Sequence, residues 1–321
     1  MRISIVIAML SLLMGPLFSE DESTTRVVLI GDGIGEGEEG VDSESFAKLL
    51  AKVAEQKPNV VFFTGNLING LEQSTSAESI KKLKSHLEKF TRLTETYLGK
   101  DVRIYPVIGN HTFVNTRAVQ LFREHFNIQD SAPLESYQWA YAVNVEHTQF
   151  IVLASGLFER RYRGYRQGVL SMPLLDWLEK ELRTNPESIR YRFVIGHMPA
   201  YSSRATEGIY VGLDKDLARR DAFWRVLRDN NALGYFSSHE PLYDRLNRDG
   251  VWQIISGGAG VIKNGDGAES MFQHFILITI PKNRAKNPVL ESIDLKGKIW
   301  DEFEIIPIDK PVHQLRISNR G

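Results

Sequence analysis

Short apolar runs alternate with longer stretches of helical period along most of the chain. Residues 26–31 (RVVLIG) are a β-branched run closed by glycine, the pattern of a buried strand. Residues 43–56 carry Phe46, Leu49, Leu50 and Val53 at helical spacing. A second strand is predicted over 59–64 (NVVFFT), and a long amphipathic helix over 77–98. Its stripe of Ile80, Leu83, Leu87, Phe90 and Leu93 or Thr94 faces a sheet, with Lys81, Lys82, Lys84 and Lys89 solvated. Residues 103–108 read as a third strand.

The second half is richer in strands. Residues 137–145 and 149–154 read as a hairpin around Glu146-His147, followed by a helix over 173–182 and a strand over 192–195. A helix over 216–228 and a strand over 233–236 come next, then strand-like runs at 251–256, 272–280, 289–294 and 299–305. This order predicts an α/β fold with a mixed two-sheet core and helices on both outer faces.

Residues 1–19 have the pattern of a signal peptide. Arg2 precedes an apolar run of about 16 residues, Gly15-Pro16 breaks it, and Ser19 stands before Glu20-Asp21-Glu22. The alternative, an uncleaved anchor, needs roughly 20 apolar residues to span a bilayer. The expected organisation is a leader over 1–19, one domain over 26–306 and a tail over 307–321, in a periplasmic or secreted protein. A chain of 321 residues with 42% hydrophobic and 25% charged residues has the balance of a soluble globular protein. The net charge of -1 supplies no overall field to hold nucleic acid or an anionic membrane. It does not exclude a small anion held by local groups. There is no cysteine, so no disulfide forms, and any metal must be held by His, Asp, Asn, Glu or water.

Candidate chemistry lies where strands end, because ligands gather there in α/β folds. The first strand ends in Gly31-Asp32, the second in Gly65-Asn66 and the third in Gly109-Asn110-His111. The strand at 192 ends in Gly196-His197-Met198-Pro199, and the strand at 233 in Ser238-His239-Glu240-Pro241. Each places a small residue, which permits a tight turn, beside a polar one.

These motifs in this order resemble the calcineurin-like metallophosphoesterases, including the purple acid phosphatase branch. That family reads Asp-x-His, Gly-Asp, Gly-Asn-His-Asp/Glu, Gly-His and Gly-His-x-His at successive strand ends. The resemblance runs from about residue 26 to 280 and takes in 150–153 (FIVL), 168–170 (GVL), 177–180 (WLEK) and 256–260 (SGGAG). It implies a four-layer α/β/β/α sandwich and phosphoester hydrolysis by two metal ions sharing a bridging aspartate and hydroxide. Carried over, one metal's ligands are Asn66, Asn110, His197 and His239, and the other's are Asp32, the residue at Ile34, Asn66 and the residue at Pro241. His111 takes the place of the acid or charge-stabilising histidine.

Several positions depart from that pattern. Ile34 and Pro241 offer no side-chain ligand, and Asn66 is a neutral amide where the family has its bridging carboxylate. Asn69 stands near the place where the purple acid phosphatase branch supplies a tyrosine. Two adjacent dications need negative ligands to offset their repulsion, and Asp32 is the only carboxylate left in the set. The expectation is therefore a degraded centre, weakly active or inactive, in a protein that acts by binding. If an ion is held, it is one divalent Mn, Fe or Zn, weakly bound at Asn110, His197 and His239. The alternative is an active phosphoester hydrolase working with the reduced ligand set. Each residue also has a structural role open to it: Asp32 can hold loop amides, Asn110 can brace a turn, and His197 and His239 can be hydrogen-bonded core histidines.

Two loops add possibilities. The run Arg160, Arg161, Tyr162, Arg163, Gly164, Tyr165, Arg166 suits an anion or a protein partner in the envelope, or is a solvated loop. The acidic stretch 36–44, with four Glu and one Asp, has a donor's chemistry but the glycine content of a mobile loop. His86, His125, His147, His274 and His313 show no clustered partners in the pattern.

Overall fold

The computed structural model describes residues 23–33, 40–41, 43–68, 76–111, 116–128, 140–155, 159–160, 165–166, 168–184, 186–204, 212–260 and 271–307. The leader segment, the tail beyond 307 and most of the acidic stretch lie outside them.

Two six-stranded sheets make the core. The first takes strands from both ends of the chain. β1 (Thr24–Ile30), β2 (Val60–Phe63) and β3 (Arg103–Pro106) run parallel at one side. The other side holds three strands that follow those of the second sheet in chain order. That second sheet contains β4 (Ala140–Val145), β5 (Thr148–Leu153), β8 (Tyr191–Ile195), β9 (Gly234–Ser237), β10 (Tyr243–Arg248) and β11 (Val251–Ser256), in the order β10-β11-β9-β8-β5-β4. β12 (His274–Pro281), β13 (Val289–Asp294) and β14 (Ile299–Glu304) complete the first sheet as β14-β13-β12-β1-β2-β3. A small ribbon, β6 (Glu159–Arg160) with β7 (Tyr165–Arg166), stands apart.

The strand period of two decides the layering. In β2, Phe62 points at the other sheet, with its ring 4.9 Å from Phe150. Its neighbour Phe63 points the opposite way, 4.8 Å from Phe90 and 5.9 Å from Phe46. Those two rings come from α1 (Ser43–Glu55) and α2 (Ala77–Leu98), which form the outer layer on that side. In β5, Phe150 and Val152 join the core between the sheets, while Ile151 and Leu153 pack with α4 (Met172–Arg183) and α5 (Leu217–Asp229). The result is the α/β/β/α sandwich. Each fully buried Phe or Leu in it contributes about 1.5–3 kcal/mol of transfer free energy.

Local signals start and stop the helices. Ser76, Ser171 and Asp216 cap α2, α4 and α5 by accepting from the backbone N–H of Ser79, Leu174 and Arg219. Gly99, at φ 84°, ends α2. The β6–β7 ribbon falls where a loop was expected, and two longer elements were not expected either. α3 (Thr116–Phe126) buries Ala118, Val119, Leu121 and Phe122. β10 is a half-exposed to exposed edge strand with no core face for periodicity to reveal. Its signal was the Asp249-Gly250 pair, both at positive φ, which closes the two-residue turn into β11 between Arg248 and Val251.

Candidate functional site at the strand ends

β1, β2 and β3 run parallel, as do β5, β8, β9 and β11, so their C-terminal ends share one rim of the sandwich. Asp32, Asn66 and Asn110-His111 follow β1, β2 and β3, and His197 and His239 follow β8 and β9. Hydrogen bonds connect all six. Asp32, Asn66 and His239 have φ of 59°, 46° and 67°, the left-handed region. Asn and Asp tolerate it, and for histidine it is costly unless the surroundings enforce it. Two glycines give the room. A Cβ on Gly65 would overlap the His197 ring, and one on Gly109 would overlap the Asn66 amide.

Asn66, 3% exposed, is the hub. Its carbonyl Oδ1 accepts from the backbone N–H of His111 at 3.1 Å. Its Nδ2 donates to Asp32 Oδ1 at 2.8 Å and to Asn110 Oδ1 at 3.1 Å. A backbone N–H can only donate, so the His111 contact fixes which end of the amide faces which partner. Asp32 also accepts from the backbone N–H of His239 at 2.5 Å and donates its own N–H to Gly65 O at 3.0 Å.

His197 is fully buried. Its Nδ1 lies 3.1 Å from Thr64 O and 3.0 Å from Ser238 Oγ, while Ser238 Oγ–H donates to Thr64 O at 2.7 Å. Its Nε2 lies 2.8 Å from Asn110 Oδ1 and 3.3 Å from His239 Nδ1. Both ring nitrogens thus face an acceptor oxygen. Burial and the neighbouring His239 hold the His197 pKa well below its ordinary value, so the ring is neutral and carries one proton for two acceptors.

The backbone around His197 is held by residues that motif reading missed. Ser155 Oγ, buried at the end of β5, accepts from the N–H of His197 at 2.6 Å and of Met198 at 3.0 Å. Tyr235 OH donates to Met198 O at 2.6 Å. Ser155 stands just past a strand end, so the rule that selected the other residues would have reached it. Glu240 is fully buried, with one carboxyl oxygen accepting from the N–H of Ser203 at 3.0 Å.

Burial dominates the electrostatics. It pushes the Asp32 carboxyl up to about 7, against the opposing pull of Asn66, the His239 N–H and Ser238. It lowers His239 to about 4, with His111 adding to the effect, and it lowers His111 at the mouth of the site. Near neutral pH the cluster therefore carries between zero and one negative charge.

That charge and the donor set do not fit a pair of divalent ions. Asn66 aims N–H groups, not lone pairs, at Asp32 and Asn110. Pro241 has no side-chain donor, and Ile34 and Asn69 lie outside the described residues. Among the described residues no three His, Cys, Asp or Glu side chains form a group that could hold a metal. Arg160 and Arg166 fall in the β6–β7 ribbon, where backbone pairing joins Glu159 to Arg166 and Arg160 to Tyr165. Arg161 and Arg163 lie outside the described residues.

Residues 25–243 match the sequence pattern named calcineurin-like phosphoesterase. The chain belongs to the calcineurin-like phosphoesterase family. Among solved structures, a purple acid phosphatase from yellow lupin (Lupinus luteus) aligns with TM-score 0.64 and 14% identity, over 88% of this chain and 53% of that one. This chain thus spans about half the length of that enzyme. A dimetal phosphatase from Danio rerio aligns with TM-score 0.64 and 15% identity, over 88% and 99% of the two chains. GAP50, described as the anchor in the inner membrane complex of Plasmodium, aligns with TM-score 0.58 and 15% identity, over 90% and 91%. At these identities the likeness is one of fold. No curated protein matches the sequence. Calcineurin-like phosphoesterases typically bind divalent metals, and among the described residues of this chain no clear metal-binding group is present.

Proposed function

We propose that this calcineurin-like phosphoesterase is an exported member with a degraded two-metal centre, weakly active or inactive as a hydrolase, that acts by binding. One observation carries the reading. At the place of the bridging carboxylate, Asn66 donates to Asp32 and Asn110, leaving no anionic group to hold two cations together. Asp32, Asn110, His111, His197 and His239 are the remaining site residues. The leader pattern of residues 1–19 supports export, to a periplasm or outside the cell. The ligand on this reading is a small anion or phosphoester at the strand ends, or a protein partner reached through Arg160, Arg161, Arg163 and Arg166. GAP50, a protein of this fold described as an anchor, supports a role in holding.

A second reading is favoured by the His197 ring. Asn110 Oδ1 lies 2.8 Å and His239 Nδ1 3.3 Å from His197 Nε2, so a single cation among them would satisfy lone pairs that otherwise face one another. On this reading Asn110, His197 and His239 would hold one Mn, Fe or Zn ion, which would supply Lewis-acid activation of a phosphoester. His111, kept neutral by burial, would stand at the mouth able to take up a proton or donate a hydrogen bond.

The two readings part in one experiment. Bound metal is measured by mass spectrometry on the purified mature chain. A chromogenic phosphomonoester and phosphodiester are then assayed with added Mn, Fe or Zn. Metal-dependent turnover that disappears in His197→Ala and His239→Ala overturns the binding reading. A chain that takes up no metal and turns nothing over overturns the hydrolase. For the partner loop, the expected result is a stoichiometric partner whose capture is lost when the four arginines are changed to serine. Capture that survives the change removes the loop from the proposal.

A further inference from the structure

We infer that Asn66 is a built-in substitute for the bridging metals, so that the active-site end of this fold is held together without any ion. The inference rests on the degraded-centre reading and goes past it, from what the site has lost to what has replaced it.

Three loops, after β1, β2 and β3, meet at this amide. Both Nδ2 hydrogens are used, one on Asp32 Oδ1 at 2.8 Å and one on Asn110 Oδ1 at 3.1 Å. The carbonyl takes the His111 N–H at 3.1 Å. The amide thus spends its hydrogens on the oxygens that a cation would otherwise draw in, and it ties the third loop by its backbone. The left-handed backbone of Asn66 and the absence of a side chain at Gly109 put the amide in that place. Asp32 in turn holds the His239 N–H, which extends the tie to the second sheet.

An aspartate at 66 has the same shape and the opposite demand. Its second oxygen would face Asp32 Oδ1 and Asn110 Oδ1, three acceptors with no hydrogen among them. A shared proton can relieve that contact below the raised Asp32 pKa of about 7, so with both carboxyls ionised, at a pH above that, a cation is what resolves it. Asn66→Asp therefore restores dependence on metal, whereas Asn66→Ala loses the tie without gaining a metal site.

The test is thermal unfolding of the mature chain and both variants, in EDTA and in Mn or Zn, with bound metal counted by mass spectrometry. The wild-type melting temperature is expected to stay within about 1 °C on chelation. In EDTA Asn66→Asp should melt about 5 °C or more lower, and it should recover most of that loss when metal is added, with more metal bound than in wild type. Asn66→Ala should be destabilised and not recover. Three results overturn the inference: chelation that lowers wild type as much as Asn66→Asp, an Asn66→Asp chain that melts like wild type in EDTA, or a loss in Asn66→Asp that metal does not restore. Any of these with an inactive wild-type chain leaves the binding proposal standing. Turnover by wild type with no chelation response overturns only the binding proposal.

Discussion

Replacing Ser155 by alanine tests whether the His197 loop is held from beneath. Ser155 is fully buried, and its Oγ accepts two consecutive backbone N–H groups, His197 at 2.6 Å and Met198 at 3.0 Å. Alanine keeps the backbone and removes both acceptor contacts. A buried donor left unsatisfied costs about 1–3 kcal/mol. Two donors in one strand-end turn relax together, so the expected loss is about 2–4 kcal/mol rather than the full sum. At about 2 °C per kcal/mol for a chain of this size, that is a fall in melting temperature of roughly 4–8 °C. Tyr235→Phe is the companion variant. It removes a single 2.6 Å bond to Met198 O and should cost about 1–2 kcal/mol. Because both side chains act on the same turn, the double variant should lose less than the sum, a non-additivity of about 0.5 kcal/mol or more. Urea unfolding followed by fluorescence gives all three values. A loss below about 1 kcal/mol in Ser155→Ala would refute the reasoning, since the two N–H groups would then have found other partners.

Gly65→Ala would force a side chain onto the His197 ring at a φ of 108°, and it should lower stability by more than about 3 kcal/mol, measured by denaturant titration. His274 is fully buried at the start of β12, with Nδ1 donating to Phe272 O at 2.7 Å, Nε2 unpartnered and a pKa lowered to about 4 by burial. Its folded pKa lies below the unfolded value, so the unfolded chain takes the proton first and stability falls as pH drops from about 6.5 to 4. His274→Gln should flatten that slope by about 1.4 kcal/mol per pH unit, and an unchanged slope counts against a neutral buried imidazole. Asp32 has the opposite sign. Raised to about 7, it binds its proton more tightly when folded, so its contribution is complete below about pH 4 and is lost as pH rises toward 7. Carboxyl carbon NMR on the chelated chain should show one aspartate titrating near neutrality. If every aspartate titrates in the ordinary range, Asp32 is better solvated than its burial implies.

The layers were legible because strands and helices write different periods. Phe62 and Phe63 predict a strand with two apolar faces, and they are found pointing to opposite layers. The site was legible as a list of strand ends, because parallel strands bring their C-termini to one rim. α3 was missed although Ala118, Val119 and Phe122 carry a helical stripe, because 11 residues make only about three turns and the period is short against its polar positions. β10 was missed because an edge strand of polar residues has no buried face to repeat. At Asn66, sequence showed only that a carboxylate had become an amide. The direction of its hydrogens depends on the His111 backbone N–H, a contact between residues 45 positions apart that no local pattern encodes.

The first sheet is assembled from the two ends of the described chain, with the second sheet inserted between them. β1 lies in the middle, and its antiparallel partner is β12, from Thr24 opposite Pro281 to Leu29 opposite Ile276. The family match stops at residue 243, well before that partner. An expression fragment trimmed to the matched boundary would turn β1 into a bare apolar edge, open to any neighbouring chain with a strand to offer. Such a fragment should precipitate, and the shortest workable piece of this protein has to run through residue 281 or beyond.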